Sequence, residues 1–463
     1  MTVALVLFNR DLRVHDNPAL VAASTADTVV PLFVLDPAIL ATTARSPNRL
    51  RFLRECLDDL DASLRRRGVV LVVRSGDPVE ETLRLAVETG ATCIHTSRDV
   101  SATAQRREWA LAGACARARV ELAVHDGVTV VPPDALSTTS GGHYRVFTPY
   151  LRVWESSPRR AVLDPPAKLA AIPGVSAHRL ADLDELATGM LSPAPLRGGE
   201  SVARAQLATV AQDVFPRYAD ARDMLAADAT SKLSGALHFG CLSPLELEQA
   251  ARSAGCEELV RQLAWRDFHH QLTFAVPTVS TADLRPAPAP EWRTDAAELD
   301  AWTAGATGYP IVDAGMRQLL EEGWMHGRAR MVVATFLTKH LGHDWREGAQ
   351  HFARLLVDAD VANNAANWQW VAGTGCDTRP GRILNPLRQA ERFDRDGDYV
   401  RRYVPELAGL DRRVIQTPWL LPAEERRLLE YPERIVDHEA AAEAFRLRYA
   451  HARQQGQSTR RGA

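Results

Sequence analysis

The chain has 463 residues, 46% of them hydrophobic and 24% charged, with a formal net charge of -3. At about 150 residues per domain this suggests two or three domains, and the near-neutral charge means that any nucleic-acid surface must be local. Cys56, Cys93, Cys115, Cys241, Cys256 and Cys376 form no C-x-x-C pair, which argues against a disulfide framework and against a clustered zinc or iron–sulfur site. No apolar run approaches the 18 or so residues that cross a bilayer. Val3–Phe8, followed at once by Arg10, Asp11 and Arg13, reads as a buried first strand rather than a signal peptide, so the expected compartment is the cytoplasm.

Residues 1–130 alternate strand-like runs (Val3–Phe8, Val29–Leu35, Val69–Val73, Ala91–Ile94, Val120–Val124) with helical patterns (Arg49–Arg67, Val79–Thr89, Ala102–Arg117). That order predicts an α/β domain, a doubly wound parallel sheet with helices on both faces. The turn after the first strand, Asn9–Arg13, is not a Gly-rich phosphate loop, and there is neither a G-x-G-x-x-G after a strand nor a P-loop. Residues 131–200, punctuated by Pro132-Pro133, Gly141-Gly142, Pro165-Pro166, Pro193, Pro195 and Gly198-Gly199, read as a long ordered connector. From 201 to 450 the pattern is helical and the domain all-α. Ser243-Pro244-Leu245-Glu246 is a capping box, and Asp295-x-x-Glu298 is a candidate second one. Residues 451–463 end in a basic, polar stretch, Gln454–Ala463, expected to be a disordered tail.

Four segments of the helical half carry residue types suited to chemistry. Thr230-Ser231-Lys232-Leu233-Ser234 sets hydroxyls and a cation before an apolar helix, which suits a phosphate, although on composition alone an ordinary helix start is the commoner reading. Gln262, Trp265 and His269 share one helical face, a stripe more natural to a pocket than to a core. Arg328 and Arg330 point to different faces and so to different partners. His340 and His343 form an H-x-x-H pair with no third ligand suggested, and read as surface histidines rather than a metal site. Last comes Asp358–Trp370 (DADVANNAANWQW). On a helix Trp368 and Trp370 would lie about 200° apart, one toward a cofactor and one toward an opening. Asp358 and Asp360 would diverge by the same angle, which disfavours a paired-carboxylate hydrolase.

TSKLSGALHFGCLSP, AWRDF, TGYPIVDAGMRQL, GWMHGRARM and DADVANNAANWQW, ordered along nearly the whole chain, resemble the photolyase and cryptochrome family, specifically class I bacterial enzymes that repair cyclobutane pyrimidine dimers. The resemblance implies an α/β antenna domain joined by a long connector to an all-α FAD-binding domain. It implies that Tyr218, Thr230, Ser231, Lys232, Leu233 and Ser234 hold the flavin phosphates and ribityl chain. Arg266, Arg330, Asp358 and Asp360 would surround the ring system, Arg330 pairing with Asp358, and Asn364 would sit at the flavin N5. Trp265, Trp370 and Met331 would line the substrate pocket, and Trp368, Trp345 and Trp292 would carry electrons to the flavin. The implied reaction is electron transfer from photoexcited reduced FAD to a lesion flipped out of UV-damaged DNA, in a monomer needing no protein partner. Arg379, Arg382 and Arg388 are candidate phosphate contacts, a solvated loop being the equal alternative.

Three departures bear on the lesion: Gln262 stands where dimer-repair relatives commonly have Glu, Gly327 where Asn often follows the histidine, and the segment after Asp377 is short and lacks the usual aromatic pair. Gln262 matches (6-4) photoproduct enzymes, whose histidine pair is absent at Gly327 and Met331. A cryptochrome-type light sensor is the rival from another class, disfavoured by Asn364 and by the short stretch after the helical domain. A light-independent flavoprotein oxidoreductase is disfavoured by the missing nicotinamide loop. Asp36, Asn48, Arg51 and Asp99 stand where relatives contact an antenna chromophore, with deazaflavin favoured over methenyltetrahydrofolate.

Overall fold

In the computed structural model, which describes residues 1–42, 45–172, 174, 189–285 and 291–461, five strands form one all-parallel sheet. They are β1 (Val3–Phe8), β2 (Thr28–Leu35), β3 (Val72–Ser75), β4 (Cys93–Ser97) and β5 (Glu121–His125), in the order β3-β2-β1-β4-β5. A parallel sheet needs cover on both faces, which is why β1 and β2 are apolar and buried at every position. Val3, Leu5 and Leu7 meet Leu85, Ala86 and Leu111 of the outer helices Pro78–Thr89 and Ala102–Ala118. Ala4, Val6 and Phe8 face Leu57, Leu60 and Leu64 of the helix Pro47–Arg65, in a core that continues to Leu242, Leu259 and Phe268 of the helical half. β3 starts three residues later than expected: Val69 and Leu71 are buried, but the Leu71 N–H is taken by Asp61, and the ladder begins where Val72 meets Leu32.

Among its described residues the connector carries the helix Phe147–Ser156, and it is pinned at Asp267, whose carboxylate accepts hydrogen bonds from Trp154 Nε1 (2.9 Å) and from the Val130 and Val131 N–H groups. Residues 173 and 175–188 of the expected connector lie outside the described residues. The helical half has its own core around Trp302, Met316, Phe336, Trp345 and Trp368. Ser243 caps Pro244–Ser253 and Asp295 caps Ala296–Ala304, so both capping signals mark real helix starts.

Two expectations are corrected. The last helix runs from His438 to Arg461, through the stretch expected to be a disordered tail, and Phe445 on it is fully buried. His340 and His343 are buried, not on the surface. They lie at a π-helical turn, Phe336–Leu341, that carries this segment inward, and His343 Nδ1 is 2.8 Å from Glu347 Oε2.

Candidate functional site

Asp358 and Asp360 stand before the helix Val361–Ala372, not on it as expected. Asp360 is its N-cap, accepting from Asn363 N–H at 2.8 Å. Asp360 therefore faces inward to Arg10, which donates to it and, at 3.0 Å, to Asp99, while Arg10 Nε donates to the His238 carbonyl at 2.9 Å. His270 Nε2 lies 3.6 Å and His238 Nδ1 3.9 Å from the same carboxylate. Burial opposes the charges, but Arg10 and the histidines hold the Asp360 carboxyl well below its usual range, and the two carboxylates raise Arg10. Burial pushes His269 down to about 4 and His270 to about 3, so both rings are neutral at pH 7.

Beside this network Arg330 grips Asp358 with one nitrogen at 3.0 and 2.8 Å and donates through Nε to the Met325 carbonyl, forming the expected ion pair. Arg328 turns away to Asp223, as the two-residue offset requires. Arg266 is buried and donates to the Val128 and Leu237 carbonyls, and burial lowers its pKa. Asn364 donates to the Ala349 carbonyl at 3.0 Å.

The hydroxyl segment precedes the helix Ser234–Phe239. Lys232 has φ +51°, a conformation costly for a side-chain-bearing residue, and its ammonium sits 2.9 Å from Asp228 and over the Trp324 ring. Trp324 Nε1 donates to Ser234 Oγ, the Leu233 N–H meets Ser231 Oγ, and Tyr218 is buried, its hydroxyl pushed up to about 12 by burial. Thr230 Oγ1, His238 Nδ1 and His270 Nε2 are buried without a hydrogen-bond partner. Such atoms are costly unless a ligand or water meets them, so the segment and the Asp360 network suit a large polar cofactor bearing phosphates.

Trp265 and Trp370 are both half-buried, on the helices Glu257–Ala275 and Val361–Ala372, which His269 and Asn363 join through a 3.1 Å contact. Trp265 stacks on Phe147 at 3.6 Å, and Gln262 on its face reaches only Glu258. Met331 is half-buried against Arg328. Trp368 and Trp345 are fully buried and Trp292 half-buried, but among the described residues no ring contact joins the three. Trp368 meets Phe352 at 5.0 Å and Trp302 at 6.2 Å, and it presses on Gly348 of the helix that Trp345 begins. Arg379, Arg382 and Arg388 are exposed, with no carboxylate within 4 Å among the described residues.

The antenna candidates do not share one contact. Asp36 caps a short helix, Asn48 is buried between Ser192 and the Leu355 carbonyl, Arg51 pairs with Glu55, and Asp99 belongs to Arg10. Arg10, His238, His270 and Asp267 are the site residues that sequence reasoning missed. The one available signal was the polar Asn9–Arg13 turn at the carboxyl end of β1, where such sheets bind ligands. Gly240 seals that turn: at φ +69°, a Cβ there would lie 1.8 Å from the Arg10 carbonyl oxygen.

Residues 4–170 match the family described as DNA photolyase, and residues 259–451 that described as FAD binding domain of DNA photolyase. The chain is 50% identical over 451 residues to the deoxyribodipyrimidine photo-lyase of Streptomyces griseus, covering 96% of this chain and 98% of that one. Among solved structures, a bacterial class III photolyase from Agrobacterium tumefaciens superposes with a TM-score of 0.91 at 37% identity, over 98% of each chain. A Synechocystis cryptochrome does so at 0.89 and 29%, over 96% of this chain and 99% of that one. Two domain matches in the right order, the fold and the buried site agree, and the chain belongs to the DNA photolyase family, with an FAD-binding helical domain.

Proposed function

We propose that this protein repairs cyclobutane pyrimidine dimers in UV-damaged DNA in a light-driven reaction, as a class I enzyme acting as a cytoplasmic monomer. The observation that carries the reading is the helix Val361–Ala372, which opens on the buried Asp360 network, sends Trp368 into the core and leaves Trp370 half exposed. The 50% identity to the Streptomyces griseus deoxyribodipyrimidine photo-lyase supports the activity.

Reduced FAD held there would supply light-driven one-electron chemistry. The chain's part is to hold, tune and exclude water. The segment Thr230–Ser234 with Tyr218 would bind the phosphates and ribityl chain, and Arg266, Arg330, Asp358 and Asp360 would fix the ring system. Asn364 would offer N5 a neutral amide. Trp368, Trp345 and Trp292 would supply electrons to oxidised flavin. Trp265, Trp370, Met331 and Gln262 would receive the flipped lesion, whose unstacking costs about a few kcal/mol. Arg379, Arg382 and Arg388 would hold phosphates. For the antenna we keep a deazaflavin, with Asp36 and Arg51 as its nearer candidates, because Asn48 and Asp99 are buried whereas Asp36 and Arg51 are only half-buried.

The test is illumination of the purified flavoprotein with oligonucleotides carrying either a dimer or a (6-4) photoproduct. Restoration of the dimer alone is expected. Gln262 favours (6-4) repair as the second reading, and restoration of that lesion alone would establish it. No repair, with a retained flavin photoreaction, would make the chain a light sensor.

A further inference from the structure

Lys339 is 2% exposed, yet among the described residues no carboxylate lies within 4 Å of its ammonium. Its hydrogen bonds go to two neutral acceptors, the carbonyl of Pro380 at 3.0 Å and that of Arg382. The Phe445 ring of the last helix closes over it at 5.5 Å. A buried cation without an ion-pair partner is expensive, and burial, only partly offset by the nearby Asp377 carboxylate, lowers this one to about 8. Its position explains what it achieves. Lys339 projects from the π-helical turn Phe336–Leu341, and both of its acceptors belong to the short segment that follows the tryptophan helix.

That segment is tied down along its length. Gly373, at φ +84°, packs where a Cβ would stand 2.7 Å from the Pro380 carbonyl oxygen. The Asp377 side chain accepts from Arg379 N–H at 2.8 Å, and Arg382 N–H donates to the Arg379 carbonyl at 3.0 Å. Gly381 lies against Tyr449, one helical turn beyond Phe445. What this backbone presents to solvent is a pair of exposed arginines, Arg379 and Arg382, with no acidic partner within 4 Å among the described residues.

We infer that Lys339, clamped under Phe445, is a positioning residue for DNA binding: by gripping the carbonyls of Pro380 and Arg382 it holds Arg379 and Arg382 as a preformed phosphate-binding edge in the segment after the tryptophan helix. The inference rests on the DNA-repair reading above. It adds that the last helix and the π-turn, which carry none of the residues assigned to the flavin, set the affinity for the damaged strand. A preformed edge binds without paying to order the loop.

The experiment compares wild type, Lys339→Met, Lys339→Arg and Arg379→Ala/Arg382→Ala. It measures hydrogen exchange of residues 373–384 in the free protein, and Kd for a dimer-containing duplex as a function of salt. Lys339→Met should speed exchange in that segment, raise Kd about tenfold and flatten the slope of log K against log salt toward the value lost with two phosphate contacts, about 1.8. The flavin spectrum and the repair rate of the bound complex should not change. Lys339→Arg, which can still donate to both carbonyls, should stay within about threefold of wild type. Adding Lys339→Met to the double-arginine variant should bring no further loss, because the lysine acts through those side chains. An equal further loss, or unchanged exchange and affinity in Lys339→Met, overturns the inference. If Lys339→Met does not fold, Lys339→Gln, which keeps two N–H donors without the charge, decides the same comparison. Wild type that fails to bind lesion-bearing DNA refutes the repair reading instead, while the exchange result still decides whether Lys339 holds the loop.

Discussion

Arg10→Met tests whether the α/β domain and the Asp360 site are one electrostatic unit. Arg10 is the shared cation of two buried carboxylates, Asp99 from the α/β domain and Asp360 at the head of the tryptophan helix, and its third donor reaches the His238 carbonyl. Removing one member of such a pair leaves charge buried without compensation, at a cost of about 3–5 kcal/mol. Unfolding entropy near 2.1 cal/mol/K per residue over 463 residues gives about 1 kcal/mol/K, so Tm should fall by about 3–5 °C. The assay follows far-UV circular dichroism and flavin fluorescence together on heating, and flavin release should move with the fold. Arg10→Lys should recover less than half of the loss, because one ammonium cannot span three acceptors that a guanidinium fork meets. Arg10→Met/Asp99→Asn should be more stable than Arg10→Met alone, having one fewer orphaned charge. A melt of Arg10→Met within 1 °C or so of wild type would refute the reasoning, and so would a double variant less stable than the single.

Trp368→Phe should slow photoreduction of oxidised flavin while sparing repair by enzyme reduced beforehand; loss of both in a folded variant removes Trp368 from the electron path. Burial lowers His269, His326, His340 and His351 to about 4 and His270 to about 3, against about 6.5 when unfolded, so below pH 6.5 the unfolded chain binds more protons and stability is lost as pH falls. From pH 7 to 5.5 each histidine costs a little over 1 kcal/mol, while Asp267 and Asp394, raised by burial to about 6, each return a little under 1. The net loss of about 5 kcal/mol should lower Tm by about 5 °C, and a melt unchanged to pH 5.5 contradicts it. Gly327 opens the helix Gly327–Thr335 with empty space where a Cβ would stand, so Gly327→Ala should add about 0.4–1 kcal/mol to stability, read from denaturant midpoints.

The sheet was legible because burial on both faces writes itself as continuous apolar runs, and the helix starts at Ser243 and Asp295 because capping chemistry is local. Only the end of the last helix, from Gln454 on, was misread, from its polar composition. Ala, Arg and Gln are strong helix formers, and Ala441, Ala442 and Phe445 give its first turns a buried face. His340 and His343 were misjudged because residue type suggests exposure, whereas the π-turn decides which way the backbone carries them. Arg10 was illegible for a different reason: its partners lie 89 and 350 residues away, and no periodicity encodes a contact at that range. The lesion side has the same difficulty. Arg379 and Arg382 are visible as a basic loop, with binding and solvation at even odds from sequence. What favours binding is a buried lysine some 40 residues earlier, spending its hydrogen bonds on that loop's carbonyls. A loop meant only to be solvated needs no buried cation beneath it, so that cost is itself an argument that the loop's shape matters.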